Sequence, residues 1–159
     1  MTSTTTPMTI EGKRLLEEEL KRLRAVERPS VIRAIEEARA LGDLSENAEY
    51  SAAKERQSFI EGRIMELNGK LASAQVIDTS TIHTDKIVFG ATVVVSDQES
   101  GKEITYKIVG SDESDIKQNK LSVTSPLARA LIGKKVGDEV TVHAPKGSIL
   151  YDVVRIRYE

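Results

Sequence analysis

Two acidic residues three positions apart, Asp43 and Glu46, stand in the segment GDLSENAEY at residues 42–50. Both side chains are ionised at neutral pH, and paired carboxylates offer hard oxygen donors for a cation such as magnesium. The same spacing is also that of a capping box, in which an acidic residue and a Glu three positions later satisfy the first free N–H groups of a helix. Ser45 and Asn47 would cap such a helix equally well. The spacing leaves both readings open, so the position of the pair in the fold carries the argument.

The elements around the pair read as helices. Thr9 can cap a helix through GKRLLEEELKRL, with Leu15, Leu16, Leu20 and Leu23 on one stripe. Pro29 interrupts or restarts it. Val31, Ile32, Ile35, Ala38 and Leu41 continue a helical stripe that ends at Gly42. Beyond the turn, Ile60, Ile64, Leu67, Leu71 and Ala74 repeat at alternating spacings of four and three, the pattern of a coiled-coil seam. A short connection between two such helices makes them antiparallel neighbours. Roughly thirty residues per arm, at about 1.5 Å each, predict a hairpin on the order of 45 Å long. A two-helix hairpin buries one seam and leaves most of its length solvated, so reach explains it better than stability does. The acidic pair then occupies the end best suited to enter the cleft of another molecule.

Composition bounds what that molecule can be. The chain has 159 residues, with 23 Lys plus Arg against 25 Asp plus Glu, and is no general nucleic-acid binder by charge; any such contact must be local. Cys is absent, which excludes a disulfide scaffold. The longest apolar stretch, 87–95, is broken by Gly90 and Thr92, so no membrane-spanning helix is expected, and a reducing cytoplasm is the expected home. Residues 1–7, MTSTTTP, read as a flexible leader.

Near residue 80 the composition shifts from Glu, Arg, Leu and Ala to Val, Ile, Thr and Gly. The expected organisation is therefore a leader at 1–7, a helical hairpin at 8–78 with its tip at 42–47, and a globular domain at 79–159. IVFGATVVV, EITYKIVG, KLSVTS, DEVTVHA and ILYDVVRIRYE read as strands, and a short helix begins at SPLARALIG, capped by Ser125 with Pro126 in its first turn. The fold class is α+β. His83 and His143 stand apart from other ligand-type residues and suggest no metal site.

GDLSENAEY is preceded by ERPSVIRAIEEARALGDL and followed by EGRI, LASAQVID, FGATV, IVG and SPLARALIGKKVGD. In these ordered segments the chain resembles the Gre family of bacterial transcript cleavage (transcription elongation) factors along nearly its whole length. The near-neutral charge balance and the tip sequence look more like its GreA branch than the more basic GreB branch. The resemblance implies an N-terminal antiparallel coiled coil and a C-terminal domain like those of FK506-binding proteins. It also implies a monomer that inserts the hairpin into the secondary channel of RNA polymerase and stimulates the polymerase's own cleavage of backtracked RNA.

By the same resemblance, Asp43 and Glu46 match the two tip acids that help hold a catalytic Mg2+ shared with the polymerase, and Ser45 is a further candidate beside them. The isolated protein would not be an enzyme, because two side chains supply too few oxygen ligands for magnesium. Arg39 and Lys54 match a basic patch that holds the RNA 3′ end. Lys54 stands where Arg is frequent, keeping the charge but losing the planar fork that suits phosphate; Arg56 is a possible substitute. Thr124, Ser125 and Pro126 match a segment that docks on the channel rim, with Thr124 departing from the usual Asn or Asp. A channel-blocking inhibitor of the same family is the alternative. Prolyl isomerase activity is not expected, since those enzymes cradle proline among aromatic side chains and this chain has no Trp and only two Phe.

Overall fold

The computed structural model describes residues 5–43 and 47–159. These divide into two compact units, the first containing Lys13–Ala74 and the second joining Thr5–Gly12 to Gln75–Glu159. The class is α+β, with a long helical hairpin and a sheet-rich C-terminal part. Among the described residues, no helix is long and apolar enough to cross a membrane.

The hairpin unit is built from α1 (Ile10–Arg22), α2 (Arg28–Arg39) and α3 (Ala48–Ala72). Its seam buries Val31, Ile35 and Ala38 of α2 and Ala53, Ile60, Ile64 and Leu67 of α3. The α3 spacing follows the sequence periodicity at Ile60, Ile64 and Leu67, whereas Leu71 is half-buried and Ala74, expected on the same stripe, lies past the helix end in a strand. On α1 the buried stripe is Leu16 and Leu20, whereas Leu15 is exposed, as are Ile32 and Leu41 farther along. An i, i+4 pair is as wide a stripe as one neighbouring helix can cover, so the flanking positions remain in water.

Pro29 lies in the first turn of α2, where the regular α-helix restarts after an interruption, as the sequence suggests. Leu23–Glu27 forms a π-helical turn in which the Arg28 N–H donates to the Leu23 carbonyl five residues back. The proline ring would press on the carbonyl four residues before it in a regular α-helix, and the wider turn relieves that pressure while the helix continues into α2.

Arginines lace the arms together outside the seam. Arg63 grips Glu19 with two hydrogen bonds of 2.6 and 2.8 Å, Arg28 pairs with Glu61 at 2.8 Å, and Arg56 pairs with Glu27 at 2.7 Å. Solvated pairs of this kind stabilise little singly, so the seam supplies the stability and the arginines favour one register. The hydrogen bond from Arg63 holds the Glu19 carboxyl below its usual range.

In the second unit, β3 (Thr92–Asp97), β4 (Glu103–Val109), β5 (Lys120–Ser122), β6 (Glu139–Ala144) and β7 (Gly147–Arg157) form a five-stranded sheet in the order β5-β4-β3-β7-β6. All neighbours are antiparallel except β4 and β5. The short helix α4 (Pro126–Leu131) adds Ala128 and Leu131 to a core with Ile87, Val93, Val95, Ile108, Val140 and Val153. The run expected as one strand from Ile87 becomes a strand only at Thr92. Ile87 instead exchanges backbone bonds with Gly133 and Lys134.

Two further strands, β1 (Thr6–Thr9) and β2 (Ala74–Ile77), pair with each other. Thr6 and Pro7, expected in a leader, are thus part of a strand whose next residues, Met8 and Thr9, are buried; residues 1–4 lie outside the described residues. The anchor of β1 is Glu113, which accepts from the backbone N–H groups of Thr9 and Gly110, each at 3.0 Å, and from the Thr9 hydroxyl. That hydroxyl in turn accepts from Gly12 N–H at 3.0 Å and so caps α1 as the sequence suggests. A Cβ at Gly12 would lie 2.1 Å from the Glu113 carboxyl carbon, so only glycine fits beside the anchored side chain.

Two outcomes follow from these contacts. Because the folded carboxyl of Glu19 is shifted down, its contribution is complete above the ordinary carboxylate range and disappears as pH falls through the lowered folded value. Urea unfolding followed by helical circular dichroism should therefore show a weaker acid dependence for Glu19→Gln than for wild type. Separately, Glu113→Ala should cost about 2 kcal/mol by stranding buried donors. Gly12→Ala should cost much less in that background than alone, measured by denaturant unfolding with tyrosine fluorescence.

Candidate functional site

The tip is formed where α2 stops and α3 starts. Past Arg39 the chain closes its last turns through Ala40 N–H to Glu36 O at 3.3 Å, Leu41 N–H to Ala38 O at 3.1 Å and Gly42 N–H to Arg39 O at 3.4 Å. Gly42 has φ +119°, a left-handed conformation that side chains resist, and it turns the chain away from the helix axis. Asp43 follows it and is exposed. Ser45 and Glu46 lie outside the described residues.

The start of α3 has its own cap. The first residue of α3 is Ala48 and its cap is Asn47, whose Oδ1 accepts from Tyr50 N–H at 3.0 Å in an extended backbone conformation. Asp43 therefore precedes the cap by four positions and does not start the helix. Of the capping candidates in the segment, Asn47 is the one that caps α3. Asn47 does a second thing that the sequence did not announce. Its Nδ2 donates to the carbonyl of Ala38, near the end of α2, so one side chain fastens both arms.

The basic candidates sit on either arm. Arg39 is the last residue of α2, exposed, with its guanidinium carbon 5.9 Å from the centroid of the Tyr50 ring on α3. That geometry is a cation–π contact across the tip. Lys54, in the second turn of α3, is exposed and donates to Gln57 at 3.2 Å. Arg56 is engaged with Glu27, whose carboxyl that hydrogen bond holds below its usual range. It is therefore a poorer substitute than its place in the sequence suggests. Tyr50 was not singled out from the sequence; an aromatic three residues past a helix cap carries no signal until the opposite arm is placed.

In the second unit, Ser125 caps α4, accepting from Ala128 N–H at 3.3 Å and donating to Ser122 O at 2.7 Å, with Pro126 next in the first turn. Thr124 is exposed and its hydroxyl lies 2.8 Å from that of Ser122. Ser125 thus has a complete structural role, while Thr124 and Pro126 present surface. His143 contacts Ser148 across the β6–β7 hairpin at 3.1 Å. Among the described residues, no group of three or more His, Cys, Asp or Glu is placed to hold a metal ion.

Known proteins match both halves. Residues 6–76 fit the model of the GreA/GreB family described as transcription elongation factor, N-terminal. Residues 82–158 fit that described as transcription elongation factor, GreA/GreB, C-term. Transcription elongation factor GreA of Hyphomonas neptunium is 61% identical over 153 residues, covering 96% of this chain and 98% of its own. The protein of the same name from Alkalilimnicola ehrlichii is 60% identical, covering 96% and 97%. The crystal structure of GreA factor homolog 1 of Thermus thermophilus is 26% identical, covering 96% and 99%, with a TM-score of 0.44. With matches that run through the hairpin and the sheet alike, the chain belongs to the GreA/GreB family of transcription elongation factors.

Proposed function

We propose that the chain acts on bacterial RNA polymerase by inserting the hairpin into its secondary channel and presenting Asp43 and Glu46 to the polymerase active site. There it stimulates Mg2+-dependent cleavage of backtracked RNA and restores an extendable 3′ end. The observation that carries this reading is the placement of the α3 cap at Asn47, which leaves Asp43 exposed ahead of the helix.

The donor chemistry fits magnesium. Carboxylate oxygens are its preferred protein ligands, and one or two of them leave most of an octahedral shell for polymerase carboxylates, phosphate and water. Bound between the two proteins, magnesium would supply water activation and charge stabilisation at the phosphodiester. Asp43 and Glu46 would each contribute one oxygen donor and a negative charge. Arg39, braced by Tyr50, and Lys54 would hold the RNA backbone by charge. Ser45, between the acids, would offer a hydroxyl to RNA or water. Since the remaining ligands belong to the polymerase, the chain is a stimulating factor and not an enzyme by itself, working as a monomer in the cytoplasm where the polymerase is. Thr124, Ser125 and Pro126 would dock the second unit on the channel rim, with Ser125 acting through the α4 start.

The test is cleavage of labelled RNA in a backtracked complex with magnesium, comparing wild type with an Asp43→Asn, Glu46→Gln double variant. The variant should bind as wild type does and lose cleavage by at least ten-fold. Equal stimulation by both proteins would make the carboxylates structural; binding without cleavage by either would establish the channel-blocking reading. For the rim, Thr124→Lys should raise the factor concentration needed for half-maximal cleavage while leaving the unfolding midpoint unchanged. Ser125→Ala should instead cost about 1 kcal/mol of stability through its lost cap.

A further inference from the structure

The side chain of Asn47 divides its work between the arms of the hairpin. Oδ1 accepts from Tyr50 N–H at 3.0 Å and starts α3, while Nδ2 donates to the Ala38 carbonyl of α2. Ala38 is buried, and with Ala53 it is the buried residue nearest the tip in its arm. Side chains this small let the two backbones come close, within reach of one amide. The bond therefore closes the chain between residues 38 and 47, the stretch that carries both tip acids. Across the same stretch, the Arg39 guanidinium on one arm rests over the Tyr50 ring on the other.

Glycine at position 42 has backbone freedom that other residues lack, and a pair of catalytic carboxylates downstream of it needs its ends fixed. Groups that must meet a metal ion and a phosphodiester in another protein lose as much as 100-fold in rate when misplaced by about 1 Å. Capping alone does not require asparagine, because Ser and Asp serve equally and carry no amide donor. Only a residue with both an acceptor and a donor on one short, planar group makes both of these bonds.

We propose that Asn47 is a positioning residue for transcript cleavage: by tying the start of α3 to the end of α2 it fixes the two ends between which the chain carries Asp43 and Glu46. This rests on the reading of the tip acids given above. Asn47 touches no reacting atom in this role and acts through the backbone on either side of the acids.

Asn47→Ser separates the two bonds. Serine retains the cap of α3 but is too short, and has the wrong donor, to reach Ala38 as the amide does. With backtracked polymerase complexes and magnesium, the saturated cleavage rate of Asn47→Ser should fall about ten-fold or more. Its half-maximal concentration, helical content and thermal midpoint should stay near wild type. Asn47→Ala, which loses both bonds, should lower the thermal midpoint as well. A wild-type saturated rate for Asn47→Ser would overturn the proposal. So would a fall in rate accompanied by equal losses of helix and of binding, since that is what a purely structural role produces. The Asp43→Asn, Glu46→Gln variant run beside them separates the two ideas. If it still cleaves, the tip-acid reading fails; if it is inactive while Asn47→Ser is not, only the role of Asn47 fails.

Discussion

The packing of α2 against α3 is the constraint on which the rest of the hairpin depends. Val31, Ile35 and Ala38 meet a stripe of Ala53, Ile60, Ile64 and Leu67, and burial of that single apolar seam is the main source of stability for an otherwise solvated unit. The residues of the seam become smaller toward the tip, from Ile and Val to Ala. Close approach at that end is what allows Asn47 to reach across to the Ala38 carbonyl. The arginines along the edges, Arg28, Arg56 and Arg63, add little energy but oppose sliding, because a shifted register would strand each beside the wrong partner. A functional tip thus follows from a graded seam.

How much of this could be read beforehand depends on the range of the interactions. The α3 stripe from Ile60 to Leu67, the Gly42 turn and the Thr9 and Ser125 caps are local in sequence, and each stood where its spacing indicated. The π turn was hidden because proline announces a disturbance without saying how the chain will absorb it. The strand β1 was missed because Thr6–Thr9 has no periodicity of its own; it exists because Glu113, 104 residues away, satisfies its end. At the tip, Asp43, Ser45 and Asn47 were all plausible caps, and only the position of the opposite arm selects the residue that can cap and cross at once.

The second unit shows the same economy in a different material. One carboxylate, Glu113, receives three donors from Thr9 and Gly110, and the glycine at position 12 exists to make room for it. The first residues of α1 belong to this same unit, and the hydroxyl that caps them is also held by Glu113. Sequence continuity would assign residues 5–12 to the hairpin; hydrogen bonding assigns them to the other unit.

The π turn at Leu23–Glu27 has a consequence for how such hairpins can vary in length. A helix that closes five residues back has taken in one more residue than a regular turn holds, so it is a natural place for an insertion or a deletion to be absorbed. Losing that residue would advance the phase of α1 by about 100° relative to α2, carrying Glu19 away from Arg63. The seam beyond Arg28, and with it the tip, would be untouched. Length change on the near side of Pro29 thus disturbs the α1 contacts and spares the tip, whereas a change on the far side displaces the tip itself.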